Sequence, residues 1–257
     1  MTEPKKDWGA RLDAVRDELA ALTAEVRRLV AVTVSVDAPA EALRRTTAAV
    51  ASLTEELASF VPVPHPPRYP GGARGNDVAD FFPFDPIVGL LNPLAPPLRV
   101  VWQDPRAIGT VTFGVPYEGP PGCVHGGIIA ATFDQVFNVA NLMRGVAGPT
   151  RRLEVRYLRP TPLAVELRFE GWVERVEGRE VHTAGRIFAG DVVTVEAAGV
   201  FVQVSMERVM QLLDASARAT ATSAAADETA AAPRAKTTPA GSSAARRRRF
   251  RADGDGS

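Results

Sequence analysis

A chain of 257 residues, 46% hydrophobic and 23% charged, has globular composition and room for one ordinary domain with appendages. Its 30 basic and 30 acidic residues cancel, so no whole-chain field draws it to nucleic acid, and a single cysteine, Cys123, excludes an internal disulfide framework. No apolar run approaches the ~20 residues of a membrane span, and the opening Met-Thr-Glu-Pro-Lys-Lys lacks a signal-peptide core; the expectation is a cytoplasmic protein with no membrane partner.

The first predicted element is a helix over 5–33. Trp8, Leu12, Val15, Leu19, Leu22, Val26 and Leu29 recur at alternating spacings of four and three, a heptad seam. Asp37-Ala38-Pro39 starts a second helix whose stripe runs through Leu43, Val50, Leu53 and Leu57. Together they make a helical hairpin over 1–60, either packed on the next domain or serving as an oligomerisation element. Five prolines and three glycines between 61 and 75 mark a linker, taken as 61–80. Phe81, Phe82, Phe84, Ile87, Leu90 and Leu91 open the main domain, 81–213, as a short apolar helix and loop.

Strands are expected over 98–103 and 108–115, then a helix over about 127–143. Leu153, Val155 and Tyr157 alternate with Arg152, Glu154 and Arg156. Val165, Leu167, Phe169, Gly171 and Val173 alternate with charged residues in the same way. Period-two alternation gives strands with one buried face. Glu177-Gly178-Arg179 and Ala189-Gly190-Asp191 are tight turns joining further strands over 180–188 and 192–204. The expectation is an α+β domain: one buried helix against an antiparallel meander. A short helix over 206–213 closes it. The tail, 214–257, is Ala, Thr, Ser and Arg with almost no large apolar residue, and is expected to be disordered.

Chemistry concentrates in residues 120–135. A Gly/Pro-rich turn ends in His125-Gly126-Gly127, and an apolar helical run carrying one acid, Asp134, follows at once. A glycine-opened helix start offers unpaired backbone N–H groups and the positive end of the dipole to a polarised carbonyl. An isolated carboxylate in an apolar stretch is costly to bury without a purpose. Together these suit acyl transfer; the alternative is a tight strand-to-helix turn and a solvated or capping acid. Cys123 has no partnered base and reads as a packed small residue. Three scattered histidines, His65, His125 and His182, give no metal-ligand spacing, so no metal is expected. No glycine-rich nucleotide loop is present, so no cofactor is expected either.

Val124-His125-Gly126-Gly127, Asp134, and Thr150-Arg151-Arg152-Leu153-Glu154-Val155-Arg156-Tyr157-Leu158-Arg159-Pro160 together resemble the hot-dog-fold acyl-CoA thioesterases of the PaaI-like, phenylacetate-degradation type. Asn92-Pro93 before the first strand strengthens the resemblance, which covers about 90–204. It implies a central helix wrapped by an antiparallel sheet, homodimers or homotetramers, and two active sites at the protomer interface. In that scheme Asp134 is the general base or nucleophile, and the Gly126 N–H polarises the thioester carbonyl. Thr150 holds the water or orients Asp134. Asp134 and Thr150 come from one protomer and Gly126 from its neighbour. His125 bonds near the thioester or fixes the turn. Gly127, Ile128, Phe133, Phe137 and Arg151 are expected to meet acyl-CoA, with the acyl group along the apolar side of the helix; Arg151, Arg152, Arg156 and Arg159 are read as meeting its phosphates or as the solvated face of a strand. Coenzyme A is then part of the substrate rather than a cofactor. One departure stands out: some relatives carry an Asn or Gln six residues before the His, where this chain has Gly119. Three other readings are a non-catalytic acyl-CoA sensing module, a hydratase of the same fold and a structural oligomer built on the N-terminal heptads.

Overall fold

The computed structural model describes residues 5–62, 81–96, 98–205, 208 and 211. Three helices, α1 (Lys5–Ala14), α2 (Arg16–Thr33) and α3 (Ala40–Ala58), precede strands β1 (Arg99–Gln103) and β2 (Arg106–Thr112). A 3-10 turn, Val115–Tyr117, leads to the long helix α4 (Gly126–Met143). Strands β3 (Thr150–Tyr157), β4 (Glu166–Glu177), β5 (Glu180–Ala189) and β6 (Val192–Val202) follow. Most of the expected linker, nearly all of the closing helix and the whole tail lie outside the described residues.

All six strands join one antiparallel sheet in the order β1-β2-β4-β5-β6-β3. The meander expected from the tight turns exists for β4-β5-β6, where Gly178 and Gly190 take φ of +60° and +59° in two-residue turns. Strand β3 departs from it, pairing with β6 at the far edge, with Leu153 opposite Gly199 and Val155 opposite Ala197. The segment after Tyr157 makes no hairpin; it bonds to β6 and to the turn before α4, with Val124 N–H donating to Thr161 C=O.

Helix α4 lies against one face of this sheet. Phe133, Val136, Phe137 and Ala140 recur at three and four, are wholly buried, and face the strands. Phe133 meets Phe169 at 5.4 Å between ring centroids, and Phe137 meets Phe201 at 6.3 Å. Glycines make this approach possible. Gly171 and Gly185 are cross-strand neighbours, and a Cβ on Gly185 would sit 2.6 Å from the Phe137 ring. Each such phenylalanine contributes about 1.5–3 kcal/mol by leaving water. This is the central helix and antiparallel wrap of the hot-dog arrangement.

The N-terminal helices differ in how they meet it. Arg27 of α2 donates to the carbonyls of Gly89, Leu90, Asn92 and Ala95 at 2.7–3.0 Å, clamping α2 to the segment before β1. Val88, Leu91 and Ala95 in that segment are buried, and Phe82 and Ile87 pack on the core. Helix α3 has no buried residue.

The sheet's other face carries a buried acid. Glu170, its side chain only 8% exposed, pairs with both Arg106 and Arg168. Those two guanidiniums cover Trp172 and Phe188.

Candidate active site

The start of α4 is fixed from both sides by main-chain bonds. His125 N–H donates to Tyr117 C=O at 2.9 Å, and Gly119 N–H donates to Cys123 C=O at 2.9 Å. Tyr117 in turn packs edge-on against the buried Phe113, and burial raises its phenol above the ordinary value against an opposing pull from Arg27. His125 is the N-cap, extended at φ −62° and ψ 131°, and its Nδ1 accepts the Gly127 N–H at 3.0 Å. An Nδ1 that accepts a backbone N–H leaves the ring proton of a neutral imidazole on Nε2. The histidine therefore fixes the turn and keeps one donor to offer. Among the described residues the Gly126 N–H has no acceptor, as the geometry of a helix's first turn requires. Tyr157 braces the same residue from the sheet: its hydroxyl donates to Gly126 C=O at 2.8 Å.

Two turns along, Asp134 lies on the half-exposed stripe of α4 with Ala131, Asn138 and Leu142, about 100° around from Phe133. Thr150, the first residue of β3, donates its hydroxyl to Asp134 Oδ1 at 2.6 Å. Among the described residues no cation pairs with this carboxylate. One oxygen is thus oriented by a neutral donor, while Oδ2 has no partner among the described residues. Asp134 stands eight residues beyond Gly126, which is about 12 Å along the helix axis. The carboxylate and the Gly126 N–H of one chain cannot address the same carbonyl.

Other expected contacts fall elsewhere. Phe133 and Phe137 are wholly buried between α4 and the sheet, so they fill the core and offer no surface to an acyl chain. The apolar side of this helix is the core side, and it is already occupied. Ile128 is half-buried and packs at the margin of that core; Gly127 is exposed. Arg151 pairs with Glu180, so its charge is already met. Arg156 is paired with Glu196, and Arg159 donates to Val193 C=O. Gly119 explains the departure at its position: a Cβ there would lie 2.8 Å from His125 Cα, so the turn closes off any side chain. Cys123 is half-buried in the turn. His182 lies away from the site, its Nδ1 3.1 Å from Arg175 Nη2. A shallow hollow of about 250 Å³ between Trp172, Arg156, Arg186 and Glu196 opens on the sheet face opposite α4 and includes none of the site residues.

Tyr157 belongs to the motif that carries the resemblance but was given no role there; the structure gives it one, bracing Gly126. Its signal was parity: it shares a face with Leu153 and Val155, the face that meets α4.

Comparison with known proteins bears on the family and the fold. A family model described as Thioesterase superfamily matches residues 121–196, the turn, α4 and β3 into β6. A crystal structure of a thioesterase superfamily protein superposes with a TM-score of 0.63 at 36% identity, covering 72% of this chain and 90% of that one. Acyl-coenzyme A thioesterase THEM4 of Xenopus laevis is 35% identical over 91 residues, 34% of this chain and 41% of the relative. The same-named protein of Mus musculus is 30% identical over 105 residues, 40% of this chain and 45% of the relative. The chain thus spans less than half the length of the curated relatives it matches.

Proposed function

This chain belongs to the thioesterase superfamily, and we propose that it hydrolyses the thioester of an acyl-coenzyme A to a free acid and coenzyme A. The supporting observation is the Thr150 hydroxyl 2.6 Å from Asp134, a half-buried carboxylate with no cation paired to it among the described residues. The relatives named as acyl-coenzyme A thioesterases supply the substrate class.

In this reading Oδ2 of Asp134 takes a proton from water as that water adds to the thioester carbon. The carbonyl oxygen gains negative charge and is held by a Gly126 N–H. The tetrahedral intermediate collapses, the C–S bond breaks, and the proton held by Asp134 goes to the departing thiolate. In the alternative, Oδ2 of Asp134 attacks the thioester carbon and the C–S bond breaks; the thiolate takes a proton from solvent, and water then cleaves the mixed anhydride to the free acid and the carboxylate of Asp134. The 12 Å between Asp134 and Gly126 on one helix supports a homodimer in which each site takes its carboxylate from one copy and its N–H from the other. Gly127 leaves room beside that donor, and Ile128 is the apolar contact that remains for the acyl group once Phe133 and Phe137 are assigned to the core.

Free-thiol release from short, medium, long and aromatic acyl-CoAs, with Asp134→Ala alongside, tests the reading. Asp134-dependent release is expected from at least one of them. Tight acyl-CoA binding in calorimetry with no release would replace hydrolysis by the sensing role.

A further inference from the structure

Strand β3 reaches the site twice. It runs back along α4, so its first residue, Thr150, meets Asp134 and its last, Tyr157, meets Gly126. Packing does not account for the second contact. Tyr157 is 53% exposed, so water could serve its hydroxyl as well as protein does. Gly126 C=O does not need the bond either, since a first-turn carbonyl of a helix accepts the N–H four residues on. A bond that neither partner requires for burial acts on geometry.

The backbone it acts on is the most pliable in the turn. Gly126 and Gly127 are consecutive, and without a Cβ neither confines its own φ and ψ. The peptide between them is planar, so gripping both its ends fixes its plane. Tyr157 Oη donates to its C=O at 2.8 Å, and its N–H donates to His125 Nδ1 at 3.0 Å. On the other side of Gly126, the His125 N–H is tied to Tyr117 C=O. The Gly126 N–H therefore leaves a residue held before and behind. A donor that is aimed in advance stabilises the charge that develops on a carbonyl oxygen, whereas a mobile one must be ordered as the reaction proceeds. Binding of the rest of an acyl-CoA does not depend on that aim.

We propose that Tyr157 is a positioning residue for hydrolysis, holding through Gly126 C=O the N–H that polarises the thioester. This role presupposes the hydrolysis proposed for Asp134 and sites shared between two copies of the chain. Each Tyr157 then serves the site whose carboxylate comes from the other copy.

Tyr157→Phe is expected to lower kcat by about three- to tenfold, the size of one neutral hydrogen bond, with KM for acyl-CoA and the melting temperature near the parent's. Co-expressing Tyr157→Phe and Asp134→Ala chains under different affinity tags yields mixed dimers. One site of each mixed dimer joins the intact Asp134 of the first variant to the intact Gly126 and Tyr157 of the second. About half the parent's kcat per dimer is expected, above either variant alone. Parent-like kcat in Tyr157→Phe would overturn the proposal and leave hydrolysis by Asp134 standing. Mixed dimers no faster than Tyr157→Phe alone would overturn it too, because Tyr157 would then act along β3 on the Asp134 of its own chain. No thiol release by the parent from any acyl-CoA would remove the thioesterase reading itself, and this role with it.

Discussion

Two acids in this protein are held away from bulk water in opposite ways. Glu170 is the more deeply buried, and two guanidiniums neutralise it. Asp134 is half-buried and, among the described residues, receives only the hydroxyl of Thr150. A carboxylate met twice by cations is tied down and spends its charge on structure. One met by a single neutral donor keeps an oxygen and its charge for something else. The depth of burial alone would have ranked the two in the wrong order.

The comparison breaks most sharply at Asp134. Asp134→Ala is expected to lower kcat/KM for the best acyl-CoA by about 10²–10⁴-fold, with the melting temperature little changed, since only one hydrogen bond from Thr150 is lost. Retained turnover would sink the assignment. Next comes the other half of the site. Gly126→Pro removes the N–H where a helix tolerates proline, and is expected to cost about 10²–10³-fold in kcat. Gly126→Ala, which adds a Cβ but keeps the N–H, is its control, because the nearest obstacle is the movable Tyr157 hydroxyl at 3.0 Å.

Glu170→Gln should do the reverse of Asp134→Ala. It should lower unfolding free energy by about 2 kcal/mol in denaturant titration, discounted for the half-exposed arginines, and leave kcat alone. Thr150→Ala removes one bond to a charged group and is expected to cost about tenfold in kcat/KM. Thr150→Ser should recover most of it.

The smallest effect lies at Glu177, an exposed acid whose carboxyl is held below its ordinary range first by the hydrogen bond from Arg175. A depressed carboxyl stabilises the fold above its unfolded pKa, and that stabilisation goes as pH falls through the folded value. The acid limb of a melting-temperature profile for Glu177→Gln should therefore be slightly flatter than that of the parent.

Much of this was legible in the residues. Alternation at 165–173 and the glycine turns at 178 and 190 lead directly to β4, β5 and β6, because strand parity and turn geometry are local. The start of α4 at His125-Gly126 was legible for the same reason. The edge position of β3 was not, since pairing across the sheet is a tertiary outcome that no local spacing encodes. Phe133 and Phe137 show a subtler loss. Their spacing marks one face of α4, but a filled core and an open acyl groove write the same pattern. The meeting of Thr150 with Asp134 came through family resemblance, not spacing, because sixteen residues and a change of element separate them. Gly119 carried a signal whose meaning needed coordinates: the missing side chain reflects a turn with no space for one.

The clamp at Arg27 has a practical consequence for anyone dissecting the molecule. Four main-chain acceptors around Gly89–Ala95 are met by one side chain more than sixty residues upstream. A fragment that begins after α2 but keeps the segment before β1 would carry those carbonyls with their donor deleted, and with Leu12 and Thr23 no longer supplying their buried contacts. The smallest faithful expression unit therefore begins upstream of α2, and α2 supplied as a separate peptide is the natural complement to any shorter piece.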